Sequence, residues 1–332
     1  MKSFALLCTL GLTTLHAAWE TQGLPADAGG AIFVSNEVVV RTVFGQALSA
    51  AFKKDLAQHA TFRAWESKLG IHVDEDIKEV TVGLYPPSAA HPDEPVSVVL
   101  LRGKFNPVRI EDFARTQKIP STTFGKIKAW DLTRLMEAVT GTPNQATNQD
   151  GVPLAYSQDL LVVCSKAKTV ATMAALAGQA PSWKLSPTFQ AQQDALTHNG
   201  FYVYVDVLKM AAESAKAEIR EQGLQVITFS LGEANRQLQG QLTLFYTEES
   251  KATGAAFEAK VLLTALDASV LLGNLGRKTT EAAALKKVSD LFQKIELTTD
   301  GRVLTARLNY PADAAATALI EAITKAQLAP GK

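Results

Sequence analysis

Pairs of β-rich segments that follow one another along the chain constrain its fold more than any other feature. Four such pairs carry apolar and β-branched residues on both sides of a turn or loop, which is the pattern of a β-hairpin. They are 77–85 with 96–105, 154–156 with 160–164, 224–231 with 238–246, and 294–298 with 302–310. Hairpin strands pair antiparallel, whereas a parallel sheet requires a helix between successive strands. The sequence therefore predicts an α+β protein with mostly antiparallel sheets and helices packed on them.

The order of the predicted elements occurs twice along the 332 residues. Each half begins with a short strand, continues through a helix, a hairpin and a further helix, and ends with a second hairpin followed by a helix. We interpret this order as an internal duplication. It predicts two pseudo-repeated α+β halves, residues 19–190 and 191–332, each with its own mostly antiparallel sheet.

One sequence offset aligns the third strand and the following helix of the two halves. It places Val98 over Leu242, and Phe113 over Phe257. Both phenylalanines are then expected to anchor their helices through a buried ring.

Helix starts are indicated by residues whose side chains can accept a hydrogen bond from a free backbone N–H. Asn36 follows the first strand of the first half, and Asp206 follows the first strand of the second half. Asn106 precedes a proline, the combination that favours a helix N-terminus. The apolar residues after it predict a helix that buries Val108 and Phe113.

The first eighteen residues have the pattern of a secretory signal peptide. Lys2 supplies a positive charge, residues 4–15 form an apolar run that is too short to cross a bilayer, and Ala17 and Ala18 offer a cleavage site. We expect residues 1–18 to be removed and the protein to be exported to the periplasm or the extracellular space. No later apolar stretch is long enough to span a membrane, so no span is expected after signal removal.

Composition and charge restrict the functional classes. Apolar residues make up 47% and charged residues 20% of the chain, as in folded globular proteins. Thirty-three basic residues balance thirty-three acidic ones, so there is no overall positive field to hold nucleic acid. Loss of the signal peptide leaves Cys164 as the only cysteine, which excludes an internal disulfide. Because Cys164 ends an apolar run, we expect a buried, unreactive thiol.

Three segments carry a resemblance to known proteins. They read LPADAGGAIFVSNE, GIHVDEDIKEVTVGL, and LLRGKF followed by EDFA. With them the chain resembles a loose group of exported bacterial proteins of uncharacterised function that have duplicated α+β halves. The resemblance implies the fold and the export, and it brings no activity, cofactor or site residues.

Two local patterns bear chemically active side chains. Ser165 and Lys168 match the S-x-x-K spacing of a lysine-activated serine nucleophile, although a serine between a strand and a helix is also a typical helix cap. His72, Asp74 and Asp76 combine ligand types that suit a divalent cation, although acidic residues before a strand also cap turns in solvent. No catalytic, cofactor-binding or metal-binding residue is assigned from these patterns, and no cofactor is expected.

The function predicted from these observations is a non-catalytic envelope protein with a binding or scaffolding role. Its partner would be an envelope protein or a small ligand, held on the sheet surfaces or in a groove between the halves. The alternative is a cell-envelope hydrolase whose site is assembled only in three dimensions. A third possibility is an inhibitor or a chaperone-like partner that pairs with an exposed strand edge.

Overall fold

We describe the fold from a computed structural model, for residues 21–47, 50, 60–86, 97–141, 153–157, 159–185, 189, 200–273 and 293–317. Within these residues the protein is α+β, as the sequence predicts. The predicted signal peptide, residues 1–18, lies outside the described residues, and so does most of the helix expected after the first strand. Among the described residues, no helix combines the length and the apolar character needed to cross a membrane.

In the described part of the chain, twelve strands form one sheet in which every pair of neighbours is antiparallel. The strands are β1 Gly30–Ser35, β2 Ile77–Leu84, β3 Ser97–Gly103, β4 Ser121–Phe124, β5 Ile127–Asp131, β6 Pro153–Tyr156, β7 Leu160–Cys164, β8 Phe201–Asp206, β9 Leu224–Ala234, β10 Gln237–Tyr246, β11 Ile295–Asp300 and β12 Val303–Pro311. All four predicted hairpins are present. Strand β4 was not predicted, because its four residues STTF are polar and mostly exposed.

The strand order is β11-β12-β10-β9-β8-β1-β2-β3-β7-β6-β5-β4. Counted outward from the β1/β8 pair, one side runs β1-β2-β3-β7-β6 and the other runs β8-β9-β10-β12-β11, so the same order appears on both sides. The first half adds β5 and β4 at its edge. The two halves were expected to have separate sheets, but the pairing of β1 with β8 joins them into one.

Helices cover parts of both faces of this sheet. The described helices are α1 Asn36–Val39, α2 Ala60–Leu69, α3 Val73–Asp76, α4 Pro107–Thr116, α5 Leu132–Thr140, α6 Thr169–Leu176, α7 Val207–Met210, α8 Lys216–Gln222 and α9 Glu249–Gly273. Residues 43–47 and 312–317 are also helical. The single helix expected after β8 is divided into α7, a short 3-10 turn at Glu213–Ala215, and α8.

The predicted helix caps are mostly correct. Asn106 accepts a hydrogen bond from the Arg109 backbone N–H at 3.1 Å, and Asp206 accepts one from Lys209 N–H at 3.0 Å. At α1 the cap is Ser35 rather than Asn36, because the serine side chain accepts the Val38 N–H.

We call the side of the sheet on which the Phe33 side chain lies the front face. In the first half it carries an apolar core that packs under α6 and the N-terminal segment 21–28. Its buried members are Leu24, Ala28, Ala31, Phe33, Tyr85, Val98, Leu100, Ala129, Ala155, Val162, Cys164, Met173, Trp183 and Tyr202. Because Tyr202 belongs to β8, this core crosses the junction of the two halves.

The back face is the opposite side of the sheet, and in the first half it lies under α2, α4 and α5. Its buried side chains are Leu69, Ile71, Phe105, Ile110, Ala114, Ile119, Trp130, Leu135, Val139, Leu154 and Leu161. The α2 side chain Lys68 donates to the last turn of α5, with Nζ 3.1 Å from the Ala138 carbonyl oxygen. A cation at these free carbonyls complements the negative end of the helix dipole. In this way α2 and α5 are fixed to each other.

In the second half, the back face packs against the first turns of α9. Ala252 and Ala256 are buried there against Tyr246 and Leu304. Phe257 is 69% exposed, so the expectation that it anchors its helix is wrong. The buried position is the neighbouring Ala256.

The expected burial in α4 is also partly wrong. Val108 is 65% exposed, and the helix is held by Ile110 and Ala114, which are fully buried. Phe113 is partly buried against the same core.

At the third strand, the sequence offset that aligned the two halves matches residues that lie on opposite faces of the sheet. Directly paired residues of antiparallel strands point to the same side of a sheet. On one side of β1, Ala31 pairs with Gly83, and Gly83 pairs with Val98. On the other side of β1, Ala31 pairs with Tyr204. Tyr204 pairs with Thr228, and Thr228 pairs with Thr243. Val98 therefore shares the front face with Thr243. Leu242 lies on the back face, because a shift of one residue turns a strand over.

Candidate ligand-binding cleft

A cleft of about 480 Å³ opens at one end of the sheet in the second half. Its lining is mainly apolar, with a few polar side chains. The lining residues are Phe189, Asp206, Leu208, Gln225, Val226, Phe245, Tyr246, Arg302 and Val303.

The floor of the cleft is one row of side chains that crosses four strands. Asp206 of β8 pairs with Val226 of β9, Val226 with Phe245 of β10, and Phe245 with Val303 of β12. Since directly paired residues share a face, all four belong to the front face. The row thus places a carboxylate at one end of three apolar side chains.

A β-bulge lies beside this row. Val226 pairs with Phe245 and Leu224 pairs with Tyr246, so Gln225 is an extra residue without a partner in β10. A bulge bends the strand and changes the direction of nearby side chains. This explains how the consecutive β9 residues Gln225 and Val226 can both line the cleft, although strand alternation alone would separate them. Tyr246 packs on the back face against Ala252 and borders the cleft as the last residue of β10.

An aromatic side chain near the end of the first half, Phe189, forms one wall. The Phe189 ring lies edge-on to Phe245, with 4.8 Å between centroids, and to Tyr204 at 5.1 Å. Tyr204 in turn contacts Trp183 at 5.7 Å, and Trp183 contacts Phe33 at 6.4 Å. The wall is therefore continuous with the front core of the first half.

Two side chains of opposite charge line the cleft. One Asp206 oxygen accepts the Lys209 backbone N–H, and the charge of the carboxylate, after burial, helps raise the pKa of Tyr204 to about 12. The Arg302 guanidinium makes one long contact, 3.5 Å from the Thr247 carbonyl oxygen. Within the described part of the chain, neither Asp206 nor Arg302 forms an ion pair.

This arrangement has the composition of a small-molecule site. Such sites are concave and mostly apolar, with a small number of polar groups that fix the orientation of the ligand. Apolar side chains would hold the body of a ligand, and Asp206 and Arg302 would select its charged groups.

The structure does not bring Ser165 and Lys168 together as a catalytic pair. The Lys168 ammonium is paired with the Asp27 carboxylate and lies over the Tyr85 ring, 4.4 Å from its centroid. The Ser165 hydroxyl is buried without a hydrogen-bond partner among the described residues. The lysine therefore stabilises the contact between α6 and the N-terminal segment.

Cys164 is buried, as expected from the apolar run that it ends. It is 1% exposed, and its thiol lies 3.9 Å from the Thr169 hydroxyl. Burial raises the pKa of the thiol, which disfavours the reactive thiolate.

The His72, Asp74 and Asp76 segment forms the short helix α3 and its entry. Asp76 accepts a hydrogen bond from the His72 backbone N–H at 2.7 Å, so its carboxylate caps the turn. The Asp74 side chain lies outside the described set. No group of three metal-ligating side chains occurs among the described residues.

The cleft has no counterpart among the sites predicted from the sequence. Asp206 was recognised only as a helix cap, and Arg302 only as the start of a strand after a turn. Their position at the two ends of one cleft depends on the register across four strands and on the bulge at Gln225, and neither leaves a local sequence signal.

Comparison with known proteins gives a likeness in structure and none in sequence. No protein-family model matches the chain, and no curated protein matches it. Crystal form III of TP0453 aligns with a TM-score of 0.47 and 9% identity, covering 92% of this chain and 99% of that chain. Crystal form IV of the same protein gives a TM-score of 0.44 at 9% identity, with 92% and 98% coverage.

Proposed function

We propose that this protein is a non-catalytic binding protein that holds a small ligand in the cleft at the end of β8, β9, β10 and β12. The observation that supports this most directly is the combination of an apolar floor with two charged side chains, Asp206 and Arg302, that form no ion pair with any described residue. Asp206 caps α7 through one carboxylate oxygen, and Arg302 contacts only a backbone carbonyl oxygen, so neither charge is neutralised by these contacts. Both charges are available to a ligand.

An amphipathic fluorescent probe tests this proposal. We expect 1-anilinonaphthalene-8-sulfonate, which has an aromatic body and an anionic group, to bind the native protein with increased emission. The variant Leu208→Trp adds bulk to a lining residue on α7 and should weaken this binding at least about tenfold. Circular dichroism and thermal unfolding would establish that the variant is folded.

The matched control is the exposed apolar side of α9, where the same probe could bind instead. Phe257→Ala removes its 69% exposed ring and should leave the probe affinity unchanged. If Phe257→Ala abolishes binding while Leu208→Trp does not, the probe binds at α9 and the cleft proposal fails.

Export belongs to the same proposal. The pattern of residues 1–18 supports cleavage near Ala18 and a site of action in the periplasm or outside the cell. Mass spectrometry of the protein from its native source should find a chain that begins at Ala18 or Trp19. An intact Met1 terminus on the mature protein would contradict export. The hydrolase alternative remains a prediction of the sequence.

A further inference from the structure

We infer that the ligand of the cleft is a zwitterion: a short apolar peptide with a free amino group and a free carboxylate. This inference rests on the proposed function, because it specifies the ligand of the same cleft. It is based on the signs and positions of the two charges that line it.

The charges lie at opposite ends of the apolar row. Asp206 ends β8, whereas Arg302 immediately precedes Val303 at the start of β12. Three strand spacings separate these two strands, which amounts to about 14 Å between their backbones. Between them lie the apolar side chains of Val226 and Phe245.

This span suits a molecule with its two charges at its two ends. Both charged side chains line the cleft, so they occupy part of the distance between the strands. An extended dipeptide bridges about 7 Å, which fits the remaining length. Its ammonium group would bind the Asp206 carboxylate, and its carboxylate would bind the Arg302 guanidinium, which can donate two parallel hydrogen bonds.

The apolar floor determines the side chains of such a peptide. Val226, Phe245 and Val303 form the row, and Phe189 and Leu208 also line the cleft. No charged side chain lies between the two ends of the row, so a peptide with charged side chains would have them desolvated without a partner. Leucine or phenylalanine side chains would instead bury their apolar surface there.

Asp206 can be neutralised without loss of its structural role. Asparagine caps a helix as well as aspartate does, so Asp206→Asn retains the hydrogen bond to Lys209 N–H and removes only the charge. The matched control is Asp131→Asn at the start of α5, because Asp131 caps its helix in the same way, accepting the Arg134 N–H at 3.0 Å. For Arg302→Gln, the matched control is Arg236→Gln, since Arg236 is an exposed residue that pairs with Asp313.

The test is calorimetric titration of the full chain with leucyl-leucine, its N-acetyl form, its amide, and the form blocked at both ends. Each blocked end should weaken binding to the wild-type protein at least about tenfold, as expected for loss of a hydrogen bond between charged groups. Asp206→Asn should bind the N-acetyl dipeptide as well as it binds the free dipeptide, because this variant lacks the charge that the ammonium group would contact. For the same reason, Arg302→Gln should bind the dipeptide amide as well as it binds the free dipeptide. The two control variants should bind the free dipeptide as the wild type does.

Two results would overturn the inference. One is equal affinity for the free and the doubly blocked dipeptide; the other is no binding of the free dipeptide at millimolar concentration. If the fluorescent probe is still excluded by Leu208→Trp in either case, the cleft binds a ligand of another class and the proposed function stands. If Leu208→Trp has no effect on the probe, the proposed function fails as well.

Discussion

Three tyrosine hydroxyls on the front face lie in surroundings that disfavour ionisation. Burial raises the pKa of Tyr85 and Tyr202 well above the usual range, and burial together with the Asp206 charge raises that of Tyr204 to about 12. The hydroxyls of Tyr85 and Tyr202 have no hydrogen-bond partner among the described residues. Above about pH 10, the folded state therefore keeps all three tyrosines protonated, whereas the tyrosines of the unfolded chain lose their protons.

The first prediction follows from this difference. Since the folded pKa values lie above the unfolded value of about 10, stability is unaffected below that pH and falls as the pH rises through it. Urea unfolding measured from pH 8 to 11 should give a constant unfolding free energy up to about pH 10 and, above that pH, a loss approaching about 1.4 kcal/mol per pH unit for each such tyrosine. Tyr202→Phe should reduce this slope and change stability at pH 7 by no more than about 0.5 kcal/mol. An unfolding free energy that stays constant up to pH 11 would contradict the burial of these hydroxyls.

The second prediction concerns the reactivity of Cys164. Because its side chain is 1% exposed and its pKa is raised, a thiol reagent should label it only when the chain unfolds. The variant Cys8→Ser leaves it as the single thiol for this measurement. Labelling should be slow in the native protein and fast in urea. Equal rates in the two conditions would show that the thiol is accessible.

Residue-scale predictions from sequence were correct where the deciding contacts are local. The apolar run before Cys164 and the caps at Asn106 and Asp206 each involve neighbours within a few positions. The contact of Lys168 could not be predicted in this way, because its partner Asp27 lies 141 positions away. A spacing such as S-x-x-K cannot show which distant group a lysine reaches.

At the scale of single elements, α4 and α9 follow equivalent strands, but their side chains are not buried equivalently. Phe113 of α4 is partly buried against the back core, whereas Phe257 of α9 is 69% exposed. A one-residue offset in the alignment is enough to exchange a buried helix position for an exposed one, because successive helix residues point about 100° apart.

The third prediction uses this contrast. Phe113→Ala should destabilise the protein by about 2–4 kcal/mol, somewhat less than a fully buried phenylalanine, while Phe257→Ala should cost no more than about 0.5 kcal/mol. Urea unfolding of both variants at neutral pH would measure the two losses. Similar values would mean that the two rings have the same surroundings, as the sequence alignment had suggested.

Strand and helix positions were predictable from periodicity, but their register was not. The hairpins formed by β6 with β7, β9 with β10, and β11 with β12 agree with their apolar patterns to within a few residues. The bulge at Gln225 and the division of the helix after β8 depend on packing between distant parts of the chain. For this reason the cleft, which requires both the register and the bulge, was not predicted.

At the scale of the whole molecule, one sheet joins the two predicted halves. Phe33 of β1 is fully buried, and its ring stacks on that of Tyr202 of β8, with 6.1 Å between centroids. Disturbing this contact should therefore affect strands that come from both sequence halves.

The fourth prediction compares two core truncations by hydrogen exchange. Phe33→Ala and Leu135→Ala each remove a fully buried side chain and should cost about 2–5 kcal/mol. Phe33→Ala should raise exchange in both β2 and β8, while Leu135→Ala, which lies in the back core of the first half, should raise it mainly in α2, α4 and α5. Unchanged exchange in β8 after Phe33→Ala would indicate that residues 19–190 and 191–332 fold as independent domains.

The central position of β1 also has a consequence for the order in which the chain can fold. Strand β1 emerges early in synthesis, yet its partner in β8 comes much later: Gly30 pairs with Val205, 175 positions further along. Until that partner arrives, one edge of β1 carries free N–H and C=O groups that can pair with another chain. Contacts of such long sequence separation are slow to form. During this interval the open edge of β1 exposes the nascent first half to pairing with other chains, and a chaperone that covers this edge would reduce that exposure.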